Sequence, residues 1–180
     1  MYSREPGGTV LSENIRSLLL NPKNNISALA ELILYEASRA QHMEEVIIPA
    51  LKSGKIAVCD RFTDSTIAYQ GFGRGIDLRI IKRLNSIATQ GIEPDLTLIL
   101  DIDAEKGLNK AKGLKKGYKH GDRIERENLE FHRKVRKGFL YAARTMPARV
   151  RLIKTRQSLE DTRDEINLIA EKFLKRKGCL

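Results

Sequence analysis

A chain of 180 residues, 41% hydrophobic and 31% charged, is ordinary in composition and long enough to enclose one core. No apolar run reaches the length needed to cross a bilayer, and the opening Met1-Tyr2-Ser3-Arg4 lacks the apolar stretch of a signal peptide, so a cytoplasmic location is expected. The net charge of +10, from 33 basic and 23 acidic side chains, suits an anionic partner without choosing between nucleotide, nucleic acid and membrane surface. Cys59 and Cys179 have no metal-ligand spacing and read as free thiols.

Apolar runs alternate with helical patterns along the whole chain, the signature of an α/β fold with a parallel sheet. After a Pro6-Gly7-Gly8 turn, Ser12 to Leu20 reads as a short helix. A longer one is predicted from Ser27 to Lys52, with Leu29, Leu32, Ile33, Ala40, Met43, Ile47 and Leu51 as its core face. A second stripe on that helix carries Tyr35, Ser38, Arg39 and His42, at spacings that put all four on one side.

Ile56 to Cys59 is a predicted buried strand ending in Asp60-Arg61, followed by a polar segment and a helix from Leu78 to Thr89 with Asp77 as its cap and Gly91 beyond its end. Leu96 to Leu100 is apolar throughout, as expected of a strand covered on both faces, and it leads into Asp101-Ile102-Asp103. Helices are predicted from Ala104 to Lys112 and from Asp122 to Arg144, then an edge-type strand around Val150 to Lys154. Ser158 and Asp161 resemble a capping box for a last helix striped by Ile166, Ile169 and Phe173.

Three constellations carry possible chemistry. Ligands of open parallel sheets gather beyond the C-terminal strand ends, where Asp60-Arg61 and Asp101-Ile102-Asp103 both stand. Such an Asp can serve a Mg²⁺ ion and such an Arg can grip phosphate oxygens in a fork, although an exposed ion pair uses the same residue types. In the stripe Tyr35, Ser38 and Arg39, a ring and a guanidinium one turn apart can hold a flat heterocycle; an exposed amphipathic face has the same spacing. The segment from Lys110 to Arg123 is rich in lysine and glycine, and reads as a cationic flap over a polyphosphate, as a solvated loop or as a nucleic-acid contact.

Taken in order, Arg4-Glu5-Pro6-Gly7-Gly8-Thr9, Tyr35 to His42, Asp60-Arg61-Phe62 with Ser65 to Gly71, Pro94-Asp95-Leu96-Thr97 and Asp122-Arg123-Ile124-Glu125 resemble the bacterial-type thymidylate kinases over nearly the whole chain. The resemblance implies one domain, residues 1–180, with a three-layer P-loop-kinase-like parallel sheet flanked by helices and a lid at about 109–123. It implies phosphorylation of dTMP to dTDP with ATP and Mg²⁺, on the way to dTTP, by a homodimer. It argues against a nucleic-acid partner, because a basic patch would not require a base pocket.

By the same resemblance Tyr35 would stack on thymine, Ser38 and Arg39 would meet the base edge, and Thr66 and Gln70 would line the base pocket. Tyr69 would sit near the sugar 2′ position, with Glu5 and Arg16 bordering the acceptor site. Arg61 would clamp the dTMP phosphate, Asp60 would serve the Mg²⁺ region, and Lys110, Lys112, Lys116 and Arg123 would act from the lid, Arg123 as a catalytic cation. The family's phosphate-binding motif G-x-x-x-x-G-K-[ST] has no counterpart among the 180 residues, so a first strand and P-loop of roughly 30 residues are expected to be missing from the sheet's middle. The alternative kept open is a nucleotide-binding remnant without transfer activity.

Overall fold

The computed structural model describes residues 1–114, 121–155 and 158–180, with side chains 111–114 left aside. Its elements are β1 (Tyr2–Arg4), α1 (Val10–Leu20), α2 (Ala28–His42), α3 (Ile48–Lys52), β2 (Val58–Asp60), α4 (Thr63–Thr66), α5 (Leu78–Ala88), β3 (Thr97–Asp101), α6 (Ala104–Leu114), α7 (Leu129–Thr145), β4 (Val150–Lys154) and α8 (Leu159–Arg176). Two stretches wind as wider π turns: Met43–Ile47 joins α2 to α3, and Ile67–Gly73 continues α4.

The fold is α/β, and both strand pairings are parallel, as the alternation of elements predicts. Among the described residues the strands form two separate pairs, β1 with β2 and β3 with β4. Backbone bonds from Val58 N to Met1 O and from Glu5 N to Asp60 O, 2.8 and 2.9 Å, extend the first pair at both ends. The helices start where polar side chains satisfy their first free N–H groups. Thr9 accepts from Ser12 N at 3.1 Å, Asn128 from Phe131 N at 2.8 Å, and Ser158 from Asp161 N at 2.9 Å.

The long helix turns the other way from its apolar pattern. Leu29, Ile33 and Leu51 are exposed at 55%, 52% and 42%, and Ala40 is exposed too, while only Leu32, Met43 and Ile47 of the expected core face are buried. The polar stripe goes inside: Ser38 and His42 are wholly buried and Arg39 nearly so. Hydrogen-bonded ion pairs, described below, supply the compensation that lets those groups leave water.

Three further expectations are corrected. The polar segment after Arg61 is helical from Thr63 through Gly73, and its buried side, with Thr66, Ile67, Ala68 and Gln70, packs on α2, α5 and α7. The helix expected from Asp122 begins at Leu129, because Asn128 caps it and residues 122–127 form turns stitched by the Asp122 carboxylate, which accepts from Ile124 N and Glu125 N. The Leu96–Leu100 run is not covered on both faces, since Leu100 is 49% exposed while Ile99 is buried. A buried ion pair ties the helical stretch to the second sheet: Asp64 meets Arg149 in a fork of two 2.8 Å bonds and also accepts from Thr97 Oγ1 at 3.0 Å.

The tightest helix contact is at Gly138 of α7, where an added Cβ would stand 2.6 Å from Ala68 Cα. Gly→Ala within a helix ordinarily stabilises by about 1 kcal/mol. Here overpacking reverses the sign, and Gly138→Ala is expected to lose about 1–3 kcal/mol in urea unfolding. A stabilised variant would contradict this packing.

Candidate functional site

A cavity of ≈ 250 Å³ opens between the β1–α1 turn, α2, the 62–70 stretch and the 122–132 segment. Tyr35, Arg39 and Arg61 all line it, as do Glu5, Arg16, Thr66, Tyr69 and Gln70. Eight residues singled out in the sequence are therefore gathered on one wall system from three chain segments.

The deepest part is built on Arg39, which is 3% exposed. Its Nε donates to Glu5 at 2.9 Å, Nη1 to Glu36 at 2.7 Å and to Asn85 at 2.8 Å, and Nη2 to Thr66 at 3.0 Å. A guanidinium has five N–H donors in a fixed fork. Four are committed, which leaves one, on Nη2, without a partner among the described residues. Burial alone would depress the Arg39 pKa, but Glu5 and Glu36 outweigh it and hold it above the ordinary value. Burial pushes the Glu36 carboxyl up despite Arg39. Phe62 closes over the guanidinium, its ring centre 5.5 Å away.

Glu5 also reaches His42 Nδ1 at 3.0 Å, and His42 Nε2 meets Ser3 Oγ at 2.6 Å. Gly8 makes room for this ring: at φ +88°, a Cβ there would stand 2.7 Å from His42 Cδ2. Glu5, His42 and Cys59 bring potential ligand atoms within 4.8 Å of one another. Both imidazole nitrogens are already bonded, and burial followed by the Glu5 charge pushes the Cys59 thiol up to about 12. A metal there would need a thiolate, so the trio is a packing cluster.

Arg61 follows β2 in a left-handed conformation, φ 65°, which costs an L side chain about 1–2 kcal/mol. That turn sends the guanidinium over the Tyr69 ring, 5.2 Å from its centre, and into the cavity. Arg16 is steered to the same space by a 2.9 Å bond to Pro6 O. Tyr35 forms the facing wall; burial, the largest effect, pushes its phenol up to about 12, so the ring stays neutral.

Four of the named residues stand elsewhere. Ser38 does not reach the cavity: it is wholly buried beneath the helix, where its carbonyl accepts from Ser12 Oγ at 2.9 Å. Asp60 lies outside the cavity lining at the exposed end of β2, and its carboxylate makes no hydrogen bond or ion pair among the described residues. Arg123 is turned away from the cavity to Leu19 O at 2.7 Å and Glu31 at 2.6 Å. Lys110 is exposed on α6; the side chain of Lys112 and all of Lys116 lie outside the described residues.

The sequence reading missed Ser65, Asp122, Glu125 and His132 as lining residues, and missed Glu36 and Asn85 behind Arg39. Glu36 and Glu125 stand inside the very motifs it quoted; Asn85 and His132 carry no local signal, because only tertiary packing brings them in. Asp101, a strand-end candidate, is taken up by a fork from Arg136 at 2.7 and 2.9 Å, and Asp103 caps α6.

The Cys59 environment gives a direct check. One thiol, the exposed Cys179, should react quickly with a disulfide reagent at pH 8, with Cys59 far slower until the chain is unfolded. Two equally fast thiols would contradict the buried cluster.

Comparison with known proteins points to one family. The family model described as thymidylate kinase matches residues 1–166. The thymidylate kinase of Gloeobacter violaceus is 46% identical over 172 residues, covering 96% of this chain and 80% of that one. That of Halothermothrix orenii is 47% identical over 180 residues, 100% of this chain and 83% of its own. The crystal structure of thymidylate kinase from Ehrlichia chaffeensis superposes with a TM-score of 0.76 at 34% identity, over 95% of this chain and 80% of that one, and so shares its fold.

Proposed function

The chain belongs to the thymidylate kinase family, and from that premise we propose that the cavity binds dTMP and that the protein moves the γ-phosphoryl group of ATP to a dTMP phosphate oxygen, releasing ADP and dTDP. One observation carries the reading: Tyr35, Arg39 and Arg61 line the same cavity, with Arg61 held there at φ 65°. Backbone strain of that kind persists where a side chain must be aimed.

In this reading the neutral Tyr35 ring stacks on the thymine face, and the remaining Nη2–H of Arg39 donates to the O4 carbonyl. Thr66 and Gln70 complete the base edge, and Tyr69, carrying Arg61 on its face, stands beside the sugar and disfavours a 2′-hydroxyl. Arg61 and Arg16 hold the phosphate, two cations for a dianion, which leaves its oxygen oriented for attack. Glu5 borders that site and keeps Arg39 in place. Phosphoryl transfer demands positioning and charge neutralisation more than covalent participation, which suits a site made of fixed guanidinium groups.

A Mg²⁺ ion prefers oxygen ligands and retained water, and the unengaged Asp60 carboxylate at the end of β2 fits that preference, whereas the Glu5–His42–Cys59 trio does not. When bound, Mg²⁺ would neutralise phosphate charge. Lys110, Lys112, Lys116 and Arg123 would add charge from the lid; for Arg123 this requires leaving Glu31. The product is one phosphorylation short of dTTP, and a cytoplasmic setting supplies the ATP. The homodimer is supported by the exposed apolar row Leu29, Ile33 and Ala40 on α2, with Leu11 and Leu18 exposed on α1.

Calorimetry with dTMP and an ADP-release assay with dTMP and ATP test the reading. Arg61→Ala should weaken dTMP binding by about 10- to 100-fold, the scale of a lost charged contact, while leaving thymidine binding nearly unchanged. Equal losses for the two ligands would show that Arg61 does not hold the phosphate, and absence of dTMP binding by the unaltered chain would overturn the assignment.

A further inference from the structure

Glu31 of α2 is wholly buried and lies outside the cavity, yet two residues assigned to the site converge on it. Its Oε1 accepts from Gln70 Nε2 at 2.8 Å and from Arg74 Nε at 3.1 Å; its Oε2 accepts from Arg74 Nη2 at 2.9 Å and from Arg123 Nη2 at 2.6 Å. We propose that Glu31 is a positioning residue that fixes which edge of the Gln70 amide faces the cavity, and through it which pyrimidine the cavity accepts. This rests on the base-pocket reading given above.

The argument is one of donor and acceptor arithmetic. Burial tends to raise the Glu31 carboxyl, but Arg74, Gln70 and Arg123 outweigh it and hold it below the usual carboxylate range. An ionised carboxylate only accepts, so the amide must turn its NH₂ toward it. A flipped amide would set its carbonyl oxygen against Glu31 Oε1, with both side chains shielded from solvent. Gln70, 2% exposed, therefore offers the cavity its Oε1 carbonyl, which no donor reaches among the described residues.

At the base edge the cavity thus presents the last N–H of Arg39 as a donor and Gln70 Oε1 as an acceptor. Thymine and uracil carry the matching edge, a carbonyl at C4 and an N–H at N3. Cytosine carries the reverse, an amino group at C4 and an unprotonated N3, and would meet donor with donor and acceptor with acceptor. Like-to-like pairing leaves buried polar groups unmatched, the strongest source of discrimination between ligands of equal size. The two arginines make the orientation stiff: Arg74 also donates to Glu127 at 2.6 Å, and Arg123 to Leu19 O at 2.7 Å. Arginines from two segments hold Glu31 before Gln70 leans on it.

The test is the ratio of dCMP to dTMP dissociation constants, measured by calorimetry on the full chain, on Glu31→Gln and on Glu31→Asp. A glutamine at position 31 can face Gln70 with either edge, and so frees the amide to turn. Aspartate keeps the charge for Arg74 and Arg123 but draws the oxygens back by one methylene, and serves if the first variant fails to fold. The expected result is a fall of about tenfold or more in the ratio, with dTMP weakened. If both nucleotides weaken by the same factor, Glu31 is only a charge partner for the arginines and the proposal is overturned. An unaltered chain that does not prefer dTMP over dCMP would sink the base-pocket reading itself, a different outcome from an unchanged ratio.

Discussion

Burying the Arg39 charge is the constraint on which the rest of the structure turns. An arginine cannot shed its proton, so a site that is 3% exposed must surround it with acceptors or lose the fold. Four chain segments supply them: Glu5 after β1, Glu36 one turn back on α2, Thr66 in the helical stretch after β2, and Asn85 on α5. Each bond draws in an element that carries another wall of the cavity. Glu5 brings the Pro6–Gly8 turn and, through His42, Ser3; Thr66 brings Tyr69 and Gln70. Removing one partner from such a cluster is costly because the others stay charged in a dry interior.

The same logic runs through a second cluster around Glu31, with the signs exchanged. There the buried group is an anion, and Arg74, Arg123 and Gln70 gather on it. One cluster leaves a spare donor at the cavity and the other leaves a spare acceptor, so the recognition edge is what remains after the fold has satisfied its own charges. The backbone departs from regular geometry where these groups are delivered: Arg61 sits at φ 65°, and Tyr69 and Gln70 lie on the π-wound stretch Ile67–Gly73. Wider turns of this kind recur at functional sites, because they re-aim side chains that regular spacing would bury or splay.

Much of this was legible in the sequence. The parallel α/β order and the helix caps Asp77 and Ser158 followed from pattern and spacing, and the gathering of Tyr35, Arg39, Arg61, Thr66 and Gln70 from the resemblance to thymidylate kinases. What misled was the long helix, where apolar periodicity pointed Leu29, Ile33 and Ala40 inward. Periodicity assumes that polar residues face water, and it fails where buried polar residues have partners of their own, as Arg39 has in Glu36 and His42 has in Glu5. The stretch after Arg61 read only as a polar segment because Asp64, Thr66 and Gln70 hid its helical face; all three are buried and paired. Arg123 was expected over the phosphates, and no local pattern reveals that Glu31, 92 positions away, holds it.

The most direct test of the Arg39 network is urea unfolding of Arg39→Lys. Lysine keeps the positive charge but has three donors on one atom, which cannot reach Glu5, Glu36, Asn85 and Thr66 together. The account predicts a loss of about 2–4 kcal/mol, as expected when buried partners of a charge go unmatched. A change below about 0.5 kcal/mol, the range of ordinary surface substitutions, would contradict it.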